Sequence, residues 1–160
     1  MGEIVATQGS RQLEDIGSEH LEDFVTFVIK DQMFGIPVLG VQDILSPDRI
    51  ASIPLAPAEV KGSINLRGRI VTVIDVRVRL GLERRVGDNE GMGVTVEHQN
   101  ELYTLLVDKI GDVISLANDL HERNPGTLGP VWREYANGVY RLEGRLMVVL
   151  DVERLLDIKT

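Results

Sequence analysis

Gly62-SINLRGRIVTVIDVRVRL-Gly81 and Gly138-VYRLEGRLMVVLDVERLL-Asp157 are two versions of one text. They align without gaps: Gly62 with Gly138, Leu66 with Leu142, Gly68 with Gly144, Arg69 with Arg145, Val73 with Val149, Asp75 with Asp151 and Leu80 with Leu156. Each reads as a strand, a tight turn (Arg67-Gly68 or Glu143-Gly144), a second apolar strand and a short helix that opens on an aspartate. An N-cap is where such an aspartate belongs, because its side-chain oxygen accepts backbone N–H groups that the first helical turn leaves without partners.

Outward from this pair the repeat continues. FVTFVIK (24–30) and MFGIPV (33–38) are short runs rich in β-branched and aromatic residues, and GVTVEH (93–98) and ELYTLLV (101–107) answer them. Val25 and Thr26 meet Val94 and Thr95, Phe34 meets Tyr103 and Asp43 meets Asp112 at one constant offset. Two alignments in the same order indicate a duplication whose period is far longer than that of a solenoid. LGVQDILS (39–46) ends at Pro47 and reads as at most a helical turn. SIPLAPAEV (52–60) is irregular, VISL (113–116) is one more strand, and ANDLHERNPGTLGP (117–130) is a long loop. ERRVGDNEGMG (83–93) has the glycines and charges of a linker. The acidic, polar segment 1–23 is expected to be a disordered or weakly ordered tail.

The expected body, 24–160, is therefore mainly β, with short helices and two related units at roughly 24–86 and 92–158, between which elements are free to exchange. Units of that size have marginal cores alone and should pack on each other. Short strands leave exposed edges that closure removes, so two small five-stranded barrels side by side are expected, with a groove between them. A single β-sandwich built from the same strands is the alternative.

The 160 residues include no cysteine, which removes disulfides, thiol catalysis and thiolate metal sites. No apolar run approaches the roughly 20 residues of a helical membrane span, and no signal peptide is read at the N-terminus. A net charge of −8 lacks the basic footprint of a nucleic-acid binder. The charge is uneven: Lys61, Arg67, Arg69, Arg77, Arg79, Arg84 and Arg85 face only Asp75 and Glu83 within 61–85. This basic stretch reads either as a protein-docking surface or as the solvated ends of strands.

No reactive constellation emerges. His20, His98 and His121 lack metal-ligand spacing. Asp75 and Asp151 are a tempting carboxylate pair, but as repeat equivalents at strand-to-helix junctions they are better explained as caps. The glycines at 87–93 carry no phosphate-loop lysine, and Asp88, Asn89 and Glu90 do not match a calcium loop. The seven aromatic residues form no base-stacking platform. No catalytic residue, metal or cofactor is expected, only binding surface.

Val41-Gln-Asp-Ile44, Val60-Lys-Gly-Ser-Ile-Asn-Leu-Arg-Gly-Arg-Ile-Val71, Ile74-Asp-Val76, Gly111-Asp-Val-Ile-Ser-Leu116 and the terminal Gly144-Arg-Leu-Met-Val-Val-Leu-Asp-Val-Glu-Arg-Leu-Leu156 resemble, in order and spacing, the signature blocks of the CheW family. The resemblance runs from about Phe24 to Leu156. It implies two SH3-like five-stranded barrels and a cytoplasmic, non-catalytic adaptor that joins the regulatory domain of the histidine kinase CheA to the helical tip of a chemoreceptor, with no nucleic acid and no membrane insertion. It implies receptor contacts at Val41, Asp43, Ile44, Gly62, Asn65, Arg67 and Gly68. Asp43 stands where the family usually has glutamate, one methylene longer. A second kinase contact, which closes rings in arrays, would use an arginine, an acid and a phenylalanine. Those positions fall here on Glu122, Gly126 and Thr127, with Arg123 and Leu128 as replacements if the loop shifts by one residue. An adaptor of a non-flagellar chemosensory pathway, or a small-molecule-binding β-barrel, are the alternative readings.

Overall fold

The computed structural model describes residues 20–47, 49–83 and 91–158. Most of the expected tail, and most of the expected linker, lie outside them. Among the described residues there are ten strands, with short helical pieces between some of them. The first part of the chain holds β1 (Leu21–Ile29), β2 (Gln32–Pro37), β3 (Val41–Leu45), β4 (Val60–Leu66), β5 (Arg69–Asp75) and α1 (Val76–Arg79). The second holds β6 (Met92–His98), β7 (Glu101–Val107), β8 (Lys109–Ala117), α2 (Pro130–Tyr135), β9 (Ala136–Leu142), β10 (Arg145–Leu150) and α3 (Val152–Leu155). β1 begins inside the expected tail, because Leu21, Glu22 and Asp23 pair with Ala117, Leu116 and Ser115 of β8. In LGVQDILS the helical turn is confined to a 3-10 turn at Val38–Gly40, and the rest is β3, drawn into a sheet by Val41 and Ile44 opposite Val96 and Val94 of β6.

The two sheets run β8-β1-β2-β10-β9 and β3-β6-β7-β5-β4. Matched through the repeat, the two orders are identical. Each sheet, however, takes its central hairpin from one half of the sequence and its other three strands from the other half. β2 joins β10 in parallel (Met33 opposite Met147), and β7 joins β5 in the same way (Tyr103 opposite Thr72). The halves 24–86 and 92–158 are thus not the two sheets. After Pro37 the 3-10 turn carries the chain from one sheet into the other, and Asp108 marks the equivalent crossing between β7 and β8.

Each sheet closes. Ala51, beyond β3, bridges to Ser63 of β4, and Glu122, beyond β8, bridges to Val139 of β9. The outer strands of both sheets are thereby joined, and two barrels result, not a sandwich. Closure explains the repeated glycine. A Cβ at Gly62 would meet the Ala51 carbonyl oxygen, and one at Gly138, where φ is +86°, would meet the His121 ring and the Glu122 carbonyl. Gly144 has a similar φ of +80° but open space around it. Gly138→Ala should therefore cost about 2 kcal/mol or more through collision plus strain, and Gly144→Ala about 1 kcal/mol through strain alone. Chemical denaturation of the two variants measures the difference, and equal losses would refute the closure argument.

The strands alternate between two apolar surroundings. Phe24, Tyr140, Met147 and Val149 fill the first barrel, and Ile64, Val71, Val73 and Leu106 line the second. Their sequence neighbours, such as Val25, Val148 and Leu150 from one barrel and Ile74, Val94 and Leu105 from the other, meet in one shared cluster. Burial on both faces is why RLMVVL and ELYTLLV read as nearly continuous apolar runs.

The helices lock this layer. Asp75 Oδ1 accepts from Arg77 N at 3.1 Å and Asp151 Oδ1 from Arg154 N at 3.2 Å, so both aspartates cap as expected. Arg77 then donates from Nε and Nη2 to Asp108 at 2.9 and 2.6 Å, and this bonding holds its guanidinium above the ordinary arginine range against the opposing effect of burial. Arg79 reaches across to α3, where it donates to the carbonyls of Leu155 (2.8 Å), Arg154 (3.3 Å) and Asp157 (2.8 Å). It also pairs with Glu59 at 3.1 Å and lies over the Tyr135 ring. Trp132 of α2 donates its indole N–H to the Leu80 carbonyl at the end of α1.

Candidate functional site

Of the seven residues expected at a receptor contact, Asp43, Asn65, Arg67 and Gly68 are joined to one another on the second barrel. The Arg67-Gly68 turn has φ of +54° and +85°, the pair of left-handed residues that matches the twist of a two-residue hairpin. Asn65 secures it by accepting from Gly68 N at 2.9 Å. Asp43 on β3 reaches this turn: its Oδ2 pairs with Arg67 at 3.1 Å, while its Oδ1 accepts from Ile44 N at 2.9 Å. The shorter side chain thus already has a partner within the chain. Val41 is half-buried against the shared core, and Ile44 is 42 % exposed. Gly62 does not join this group; it lies at the closure of the barrel.

The Arg67 side chain is 78 % exposed, so its ion pair is of the kind worth at most about 1 kcal/mol. Such a pair is easily exchanged for one with a partner. Sequence reasoning missed Ile70, 72 % exposed two residues beyond Gly68. An isoleucine beside the exposed Arg69, just past a hairpin turn, was the available signal. The basic stretch turns out to be two populations. Arg67 and Arg69 face solvent, whereas Arg77 and Arg79 are committed inward.

Among the described residues no set of three or more His, Asp or Glu side chains is placed to hold a metal ion. His121 bonds the Asn137 carbonyl at 2.7 Å and packs edge-on against Tyr140, and His98 packs in the same manner against Tyr103. No helix among the described residues is long and apolar enough to cross a membrane.

Residues 23–159 match the family model described as the CheW-like domain. The chain belongs to this CheW-like family. It is 30 % identical over 152 residues to the chemotaxis protein CheW of Klebsiella aerogenes, covering 95 % of this chain and 89 % of that one. It is 29 % identical to the chemotaxis protein CheW of Treponema pallidum, with 84 % and 82 % covered. The crystal structure of the scaffolding protein TtCheW from Thermoanaerobacter tengcongensis superposes with a TM-score of 0.78 at 23 % identity, over 88 % of this chain and 95 % of that one.

In this CheW-like chain the second candidate face, the loop 122–128, departs from the expectation at Leu128. Leu128 belongs to the shared core, its N–H bonded to the Pro125 carbonyl, so it is not available as a surface anchor. It lies two residues before Pro130, which starts α2. Glu122 is held by its bridge to Val139 and by an ion pair with Arg141 at 3.0 Å. Arg123 and Thr127 are exposed.

Proposed function

We propose that this CheW-like chain is a non-catalytic, cytoplasmic adaptor that couples the tip of a chemoreceptor to the regulatory domain of the histidine kinase CheA. The observation that carries the reading is the exposed face where the Asp43–Arg67 pair sits beside Ile44. The names of its relatives, chemotaxis protein CheW and scaffolding protein, agree with it. A receptor tip offers a helical hairpin whose apolar ridge would lie on Ile44 and Val41. Arg67 would release Asp43 and give its planar fork to carboxylates or helix-end carbonyls of that hairpin.

Arg67→Glu tests the reading. The substitution puts a carboxylate beside Asp43 and reverses the charge offered to the receptor, while an exposed turn position should cost about 1 kcal/mol or less. In a reconstituted mixture of receptor, kinase and adaptor, receptor-dependent kinase activation should be lost, with kinase binding and thermal melting kept. Full activation by the variant would remove Arg67 from the contact.

A further inference from the structure

Asn137 is followed by a glycine; Asn65, Asn89, Asn100, Asn118 and Asn124 are not. The pair arises from barrel closure. Gly138 has a φ of +86°, and a Cβ there would meet the His121 ring and the Glu122 carbonyl, so closure calls for glycine. At the equivalent closure of the second barrel the residue before Gly62 is Lys61, which has no side-chain amide. An asparagine before a glycine is chemically labile, because no side chain shields the glycine nitrogen from the asparagine Cγ. Asn137 is exposed to water on β9, whereas Gly138 is buried.

The segment 121–124 holds this pair closed. Asn124 Oδ1 accepts from Gly138 N at 2.8 Å, and Asn124 Nδ2 donates to the Ala136 carbonyl at 3.2 Å. His121 Nε2 donates to the Asn137 carbonyl at 2.7 Å, and Glu122 and Val139 exchange two backbone N–H···O bonds of 2.9 Å. The nitrogen that would attack Asn137 is therefore occupied by Asn124, which fastens the backbone on both sides of the labile residue. We propose that Asn137 is a deamidation site kept in its amide form by Asn124, and that it converts only when the segment 121–124 lifts from β9. In the open state hydroxide takes the Gly138 N–H proton and the nitrogen bonds to Asn137 Cγ. The Cγ–Nδ2 bond breaks, and Nδ2 leaves as ammonia with a proton from water, which restores the hydroxide. Water then opens the cyclic imide at either carbonyl, giving aspartate or isoaspartate. Either product puts a carboxylate into a recess that Glu97, Asp151 and Glu153 already line. Isoaspartate also adds a methylene to the β9 backbone, just before the bridge of Val139 to Glu122. This inference is independent of the receptor-coupling role.

Peptide mass spectrometry of the full-length chain, incubated at mildly alkaline pH, reads the conversion of each asparagine. In urea Asn137 should convert fastest of all, and in the folded chain it should be slow. Asn124→Ala should speed it roughly tenfold, the scale of shift in local opening when a buried N–H loses its acceptor. Asn124→Asp, which keeps an acceptor oxygen, should stay near the wild-type rate. General loosening of the fold would speed Asn100 and Asn118 as well, so their unchanged rates separate the two causes. Hydrogen exchange at Gly138 N–H in wild type makes the test independent of whether Asn124→Ala folds. The opening equilibrium it reports, multiplied by the rate in urea, should reproduce the rate in the folded chain. Conversion of Asn137 as fast folded as in urea, or much faster than that product, overturns the proposal. So does a folded Asn124→Ala variant that converts at the wild-type rate, or one in which Asn100 and Asn118 accelerate equally.

Discussion

Expressed apart, residues 1–88 and 89–160 will each fail to give a dispersed NMR spectrum. The reason lies in the exchange of hairpins. Residues 1–88 would retain β1–β2 without β8, β10 and β9, the other strands of their sheet, and β3, β4 and β5 without the central hairpin β6–β7. The fragment 89–160 has the complementary gaps. Neither fragment contains one complete barrel, and both would expose the shared cluster formed by Val25, Phe27, Ile74, Val94 and Leu105. Leaving even a few such side chains in water costs about 1.5–3 kcal/mol each, against a total stability of only about 5–15 kcal/mol for a domain. Mixing the two fragments should restore the dispersed spectrum, because together they supply every strand pair. Two well-dispersed spectra from the isolated fragments would contradict the shared core.

Arg79→Ala should lower stability by about 3 kcal/mol, near the lower end for breaking a buried pair because water reaches part of this one. For a chain of this size that is about 10 °C in Tm. The side chain is only 14 % exposed and ties α1 to α3 through three carbonyls, to Glu59 through an ion pair, and to the face of Tyr135. Its loss leaves the Glu59 carboxylate partly buried without this guanidinium and the end of α3 without its donors. Arg79→Lys should recover little, since an ammonium has no planar fork to serve several acceptors at once. Thermal melts of wild type, Arg79→Ala and Arg79→Lys decide it. A change of only a degree or two for Arg79→Ala would mean that water replaces the guanidinium without penalty.

What is local or periodic in this protein can be read from the order of its residues. The duplication, the strands, the Arg67-Gly68 turn and the capping roles of Asp75 and Asp151 are set by residues within a few positions of one another, and they are visible wherever turn chemistry and alternation agree. The pairing of Asp43 with Arg67 was not legible from local pattern, because β3 and the hairpin turn are distant in sequence and joined by one ion pair. Other properties come from contacts between distant parts of the chain. That the halves exchange hairpins depends on a three-residue turn after Pro37 that sends β3 to the opposite sheet. That Gly62 serves closure depends on Ala51 arriving from outside the repeat. Arg77 and Arg79 look like Arg67 and Arg69 in the sequence, yet they point into the molecule, and Leu128 is core although its loop reads as surface. In each case the deciding neighbour comes from a remote part of the chain. Charge and hydropathy name what a side chain can do, but only long-range pairing chooses the surroundings in which it does it.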